Sequence, residues 1–209
     1  MGTIKATLWD FGGVISSSPF ESFRRYERAH GLPDDFIRTL NATNSDTNAW
    51  ARFERSEVSF EDFCALYEEE GRAAGGVIDG REVMACLSGE IRPQMVEAIR
   101  RCKAKLTTGL ITNNVALMDE GPGWHHTVPL DDLFDVVIES SKVGYRKPDA
   151  RIYELACEQL GVEPHEVVFL DDLGVNLKPA AAMGMTTIKV IDPDVALREL
   201  EAAVGFDLG

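Results

Sequence analysis

Short apolar runs at residues 4–9, 106–112, 136–139, 167–170 and 187–191 have the length and character of strands buried on both faces. Between them the apolar period changes to that of helices. Pro93 opens a segment with Met95, Val96, Ile99 and Cys102 along one stripe. Asp149 is placed to cap a second, with Ile152, Tyr153, Leu155, Ala156 and Leu160 inward and Gly161 just past its end. Asp192 and Pro193 start a third, which Gly205 closes. Strands alternating with helices predict an α/β core, and right-handed crossovers make a doubly wound parallel sheet the economical topology.

Residues 16–89 break this rhythm. They hold no convincing strand but several amphipathic pieces. Phe20, Phe23 and Glu27 lie along one piece that Gly31 ends, and Trp50 and Phe53 lie on another. Ser59-Phe60-Glu61-Asp62 has the form of a capping box ahead of Phe63, Leu66 and Tyr67. The predicted organisation is an α/β core of residues 1–15 and 90–209, with a small α-helical cap of residues 16–89 inserted after the first strand. At helical spacing the aromatic residues read as the core of that cap.

Composition narrows the function classes. The 209 residues are 44% hydrophobic and 27% charged, ordinary for a globular chain large enough to bury its own core. Acidic residues outnumber basic ones by 35 to 21, for a formal charge of −14. Such a field repels phosphate backbones and anionic lipid, which counts against a nucleic-acid or membrane partner. No apolar run approaches the roughly 20 residues of a spanning helix, and no signal-peptide pattern precedes the first strand, so a cytoplasmic location is expected. The four cysteines are widely spaced, without a CxxC pair, and read as free thiols. Nothing in the pattern fixes an oligomeric state.

Ligands of open α/β sheets bind beyond the carboxyl ends of the strands. There the chain collects Asp10-Phe11-Gly12-Gly13, Thr112-Asn113-Asn114, and Asp171-Asp172 followed by Asn176. Arg146-Lys147-Pro148-Asp149 lies between the last two. Singly, each has an ordinary reading as a cap, a strand terminus or a solvated lysine. Together they point to phosphate chemistry. Asp10 and Asp172 can hold a hard divalent cation such as Mg²⁺, which takes oxygen ligands. A remaining carboxylate oxygen can attack phosphorus, while Thr112, backbone N–H groups and Lys147 neutralise the transferring group.

These residues resemble, in order, the four signatures of the haloacid dehalogenase superfamily of aspartyl-nucleophile hydrolases. The segments 167–180 and 194–200 are most similar to the N-terminal phosphatase-like group of soluble epoxide hydrolases. The resemblance implies a Rossmann-like three-layer core with an α-helical cap, and Mg²⁺-dependent hydrolysis of a small phosphorylated metabolite, a sugar or lipid phosphate. It assigns Asp10 as nucleophile and metal ligand, the Gly12 carbonyl and Asp172 as further ligands, and Asp171 and Asn176 as their support. Thr112 and Asn113 would contact the phosphoryl group or substrate, and Lys147 would steady nucleophile and phosphate.

One position departs from the pattern. Most phosphatases of the superfamily carry a second aspartate two residues after the nucleophile, which protonates the leaving alcohol. Here that residue is Gly12, which has no side-chain proton to give. Three readings stand open: a phosphatase in which another group or solvent handles the proton, a protein that holds a phosphorylated ligand without turnover, and a dehalogenase-like hydrolase. His125 and His126, in a Gly/Pro-rich loop after the second strand, are candidate proton donors.

Overall fold

A computed structural model describes residues 3–87, 89–114 and 129–208. Its centre is a five-stranded parallel sheet of β1 (Ala6–Trp9), β2 (Thr107–Thr112), β3 (Val136–Glu139), β4 (Val167–Asp171) and β5 (Thr186–Lys189), in the order β3-β2-β1-β4-β5. The strands match the expected runs with small shifts at their ends. The first is shorter, although Lys5 N–H already donates to the Glu166 carbonyl at 2.8 Å. The last begins one residue earlier and stops at Lys189, and Ile191 beyond it is 78% exposed.

Successive strand residues face opposite sides, so each strand feeds two cores. Trp9, Leu110, Val168, Leu170 and Ile188 pack with Met95, Ile99 and Cys102 of helix Pro93–Lys103, and with Ala196 and Leu200 of helix Pro193–Val204. Leu8, Ile111, Val167 and Phe169 pack with Ile152, Tyr153, Ala156 and Leu160 of helix Ala150–Leu160, and with Leu177 of helix Gly174–Ala182. This is the predicted helix–sheet–helix sandwich. The expected ends also hold: Asp149 and Asp192 cap their helices, and Gly161 and Gly205 follow them at φ 67° and 80°, a region where a β-carbon is disfavoured.

The segment between β1 and β2 is helical, with helices Phe20–Ala29, Phe36–Ala42, Ala49–Glu54, Phe60–Ala73 and Gly80–Ala85. Their apolar faces build a separate cluster in which Phe23, Trp50, Phe53, Phe63 and Tyr67 stack or meet edge to face. Ser59 caps as expected, its Oγ accepting from Asp62 N–H at 3.1 Å. Glu27, on the stripe of the first of these helices, is buried because its carboxylate accepts the N–H groups of Asp35 and Ile37 and so caps the next helix. The chain leaves and re-enters the sheet region through one short stem. Ser16 and Ile91 form an antiparallel bridge, and Ser17 N–H donates to the Glu90 carbonyl.

No described helix is long and apolar enough to cross a membrane, and all four cysteines are free.

The two-sided packing makes a quantitative prediction. Ile99 has no solvent exposure, whereas Ile191 lies outside the sandwich. Urea unfolding should show Ile99→Ala losing about 2–5 kcal/mol, and Ile191→Ala changing stability by less than about 0.5 kcal/mol. Equal losses would contradict the assignment of the core.

Candidate active site

Strand register assembles the site. Trp9 pairs with Leu110 on one side and Leu170 on the other. Asp10, whose N–H donates to the Leu170 carbonyl at 2.9 Å, therefore emerges beside the end of β4, where Asp171 is the last residue. Thr112 ends β2 and is 5% exposed. Apolar residues stop where each strand leaves the sandwich, so the polar residues that follow share one end of the sheet.

Lys147 joins them. Its side chain is 1% exposed, and its Nζ lies 2.7 Å from Asp10 Oδ1 and 2.7 Å from Asp171 Oδ2. Burial works against the ammonium, but the two carboxylates outweigh it and raise the Lys147 pKa. The Lys147 backbone is fixed as firmly. Asn113 Nδ2 donates to its carbonyl at 3.0 Å and Asn113 Oδ1 accepts its N–H at 2.9 Å. The Asn113 side chain thus clamps the Lys147 main chain from both sides.

Asp10 Oδ1 accepts a second bond, from the Phe11 N–H at 2.7 Å. Both contacts of the Asp10 carboxylate fall on this one oxygen, which fixes its plane and leaves Oδ2 uncommitted among the described residues. Asp171 has no solvent exposure and is fully engaged: Oδ1 accepts Leu173 N–H at 2.8 Å, and Asn176 Nδ2 reaches both oxygens at 3.1 Å. Asn176 is in turn held by Tyr153, whose hydroxyl donates to its carbonyl at 2.7 Å.

Asp172 completes a carboxylate cluster in which Asp10, Asp171 and Asp172 each offer an oxygen within 4.8 Å of the others. Burial, with Asp171 beside it, pushes the Asp172 carboxyl up to about 6. Burial also raises Asp10 well above the carboxylate range; Lys147 opposes this and the two neighbouring aspartates add to it. Three carboxylates against the one ammonium in contact with them, with Arg92 acting on Asp172 only through space, leave negative charge in excess. A hard divalent cation, which favours carboxylate oxygens, fits that donor set.

The turn after Asp10 shows why two glycines follow it. Gly13 has φ 77°, and a β-carbon there would lie 2.3 Å from Asp172 Oδ2, so only glycine lets the turn approach that carboxylate. Gly12 is different. Its φ of −67° and ψ of 129° suit any residue, and a β-carbon would meet nothing within 4 Å.

Three residues to which the sequence pattern assigns no role belong to the surroundings. Arg92 Nη1 donates to the Gly13 carbonyl at 2.6 Å and bears electrostatically on Asp172. Glu54 and Arg146 form an ion pair between the helical segment and the residue before Lys147. Nothing in the local sequence separates these side chains from solvated ones, because their partners lie 79 and 92 positions away. His125 and His126 lie outside the described residues.

A model of haloacid dehalogenase-like hydrolases matches residues 4–184. The chain belongs to that family. It is 37% identical to mouse acyl-CoA dehydrogenase family member 10 and 34% identical to mouse bifunctional epoxide hydrolase 2, over 98% and 97% of its own length. It spans only 19% and 39% of those two proteins. A sesquiterpene phosphatase, astK, from Aspergillus oryzae is 29% identical over 97% of this chain and 98% of its own. Among solved structures, a haloacid dehalogenase family enzyme from Bacteroides thetaiotaomicron, in complex with magnesium and inorganic phosphate, superposes with a TM-score of 0.62. It covers 89% of this chain and 93% of that one at 19% identity, a likeness of fold. The chain is thus a haloacid dehalogenase-like hydrolase with phosphatases among its relatives, and its parallel sheet is the Rossmann-type core of that family.

The crowding of carboxylates has a measurable cost. Carboxyls with raised pKa values favour the folded state when protonated, so stability present at pH 4 is lost as pH rises through about 6. In EDTA at pH 7, Asp172→Asn should be more stable than the parent by about 1–2 kcal/mol, after allowance for the partial exposure of Asp172. The advantage should vanish at pH 4. Urea titrations at both pH values check this, and a variant less stable than the parent at pH 7 would contradict it.

Proposed function

We propose that this chain is a Mg²⁺-dependent phosphomonoester hydrolase that works through an aspartyl-phosphate on Asp10. The observation that carries the reading is the state of Asp10. One oxygen is pinned by Lys147 Nζ and the Phe11 N–H, while the other takes no hydrogen bond among the described residues. A carboxylate with a fixed plane and one uncommitted oxygen is arranged as a nucleophile. The phosphatases among the relatives support the reaction class.

In this reading Asp10 Oδ2 attacks phosphorus, the bond from phosphorus to the ester oxygen breaks, and the leaving oxygen takes the electron pair. Lys147 holds the nucleophile in line and offers positive charge to the phosphoryl oxygens. Thr112, at the end of β2, and the main-chain N–H of Asn113 supply further donors. Water then attacks phosphorus, which frees inorganic phosphate and restores the Asp10 carboxylate. Asp10, Asp172 and the Gly12 carbonyl would hold the metal, supported by Asp171 and Asn176. When bound, it neutralises the carboxylates and the phosphate charge. Residues 16–89 act as a cap over the core of residues 1–15 and 90–209. The substrate is a small phosphorylated metabolite, a sugar or lipid phosphate, and the terpene-directed relative favours the lipid.

Gly12 sets the chemistry apart. With no side-chain acid there, the leaving oxygen departs unprotonated or takes its proton from solvent. Positioned acid–base groups contribute roughly 10²–10⁴-fold, so leaving groups of low pKa gain most from this site. The alternative of ligand holding without turnover rests on the same glycine. The carboxylate cluster counts against dehalogenation, which needs no cation.

A leaving-group series tests the reading. Across aryl and alkyl phosphates the rate should fall steeply as leaving-group pKa rises. A β-carbon at Gly12 meets nothing within 4 Å, and Gly12→Asp should raise turnover of alkyl phosphates by at least roughly tenfold. A flat series, or no gain with Mg²⁺ binding intact, would contradict this account of Gly12. No turnover of any member would favour the binding protein.

A further inference from the structure

Away from the stem, three side-chain contacts among the described residues tie the helical segment to the stretch leading into Lys147. Ser56 Oγ donates to the Ser141 carbonyl at 3.0 Å. Arg146 Nη1 donates to the Ser45 carbonyl at 2.9 Å. Arg146 Nε pairs with Glu54 Oε2, whose side chain is 8% exposed against 19% for the arginine. Both atoms are buried and neither takes part in a hydrogen bond, so each has only the opposite charge for company. The Glu54 carboxylate is aimed by Trp50, whose indole N–H donates to Oε1 at 2.9 Å. Trp50 itself sits in the aromatic cluster of the helical segment.

An ion pair is an expensive way to join two surfaces, since both charges lose water, and an apolar contact would serve adhesion better. What it adds is register, because one planar guanidinium must meet the Glu54 carboxylate through Nε and the Ser45 carbonyl through Nη1 at the same time. Register matters here because the residue after Arg146 is Lys147. Its backbone is clamped to the end of β2 by Asn113, and its Nζ bridges Asp10 and Asp171. The stretch carrying the buried lysine is therefore held on one side by the sheet and on the other by the helical segment.

We propose that Glu54 and Arg146 are positioning residues that couple the seating of the helical segment to the placement of Lys147 against Asp10. The coupling rests on the reading of Asp10 and Lys147 as the reacting pair, but the seating itself can be tested without turnover.

The variants are Glu54→Gln, which keeps the shape and removes the charge, and Arg146→Lys, which keeps the charge and loses the fork. Glu57→Gln is the control, because it weakens the Arg55–Glu57 pair internal to the helical segment. Hydrogen–deuterium exchange of the full chain should rise in peptides covering 45–57 and 141–149 together for Glu54→Gln, and stay at the parent level at 141–149 for Glu57→Gln. With p-nitrophenyl phosphate and Mg²⁺, Glu54→Gln should lower kcat by roughly tenfold with KM moved less than about threefold, and Arg146→Lys should fall between it and the parent.

Parent-like exchange at 141–149 in a folded Glu54→Gln protein would overturn the coupling, as would a parent-like kcat. If Glu54→Gln does not fold, Arg146→Lys carries the same two measurements, and parent-like values in either overturn the coupling in the same way. If the parent itself turns over nothing, the phosphatase reading fails, and the exchange data still decide whether the pair seats the segment.

Discussion

A lysine side chain only 1% exposed can stay charged only where carboxylates replace its water, and Lys147 has two, each 2.7 Å from Nζ. Much of the local architecture follows from that requirement. The parallel register of β1 and β4 brings Asp10 and Asp171 side by side. Asn176, itself held by Tyr153, supports Asp171 from behind. Asn113 grips the lysine main chain from the end of β2. Each of these bonds spends a polar group that burial would otherwise leave unsatisfied.

The lysine compensates for one of three carboxylates, and the remaining charge defines what the site can do. Burial and the neighbouring Asp171 hold the Asp172 carboxyl up at about 6, and a hard divalent cation fits the donor set that the three aspartates form. Gly13 keeps that cluster tight by letting the turn pass against Asp172. Gly12, one residue earlier, has open space where its β-carbon would be. The same turn is therefore closely fitted at Gly13 and open at Gly12.

Much of this is legible in the chain. The strand runs, the helical interruption after the first strand and the Asp10, Thr112, Lys147 and Asp171-Asp172 positions follow from apolar periodicity and from where polar residues resume. Strand ends are displaced by a residue or two, because pairing along the edge and not hydrophobicity decides where a ladder stops. Pairings over long sequence separations are not legible. The amide of Asn113 on the Lys147 main chain has no signal in the sequence, and Arg92, Glu54 and Arg146 read as solvated charges until their partners arrive from distant segments. Buried polar pairs carry no periodic signal, so only tertiary structure reveals them.

The most direct measurement is inorganic phosphate release from p-nitrophenyl phosphate in Mg²⁺ and in EDTA, with Asp10→Asn alongside. The account predicts turnover in Mg²⁺, loss of it in EDTA, and none above background for Asp10→Asn. Turnover that survives EDTA, or that Asp10→Asn retains, would contradict it, and silence from this activated ester in every arm would leave a phosphate-binding protein in its place.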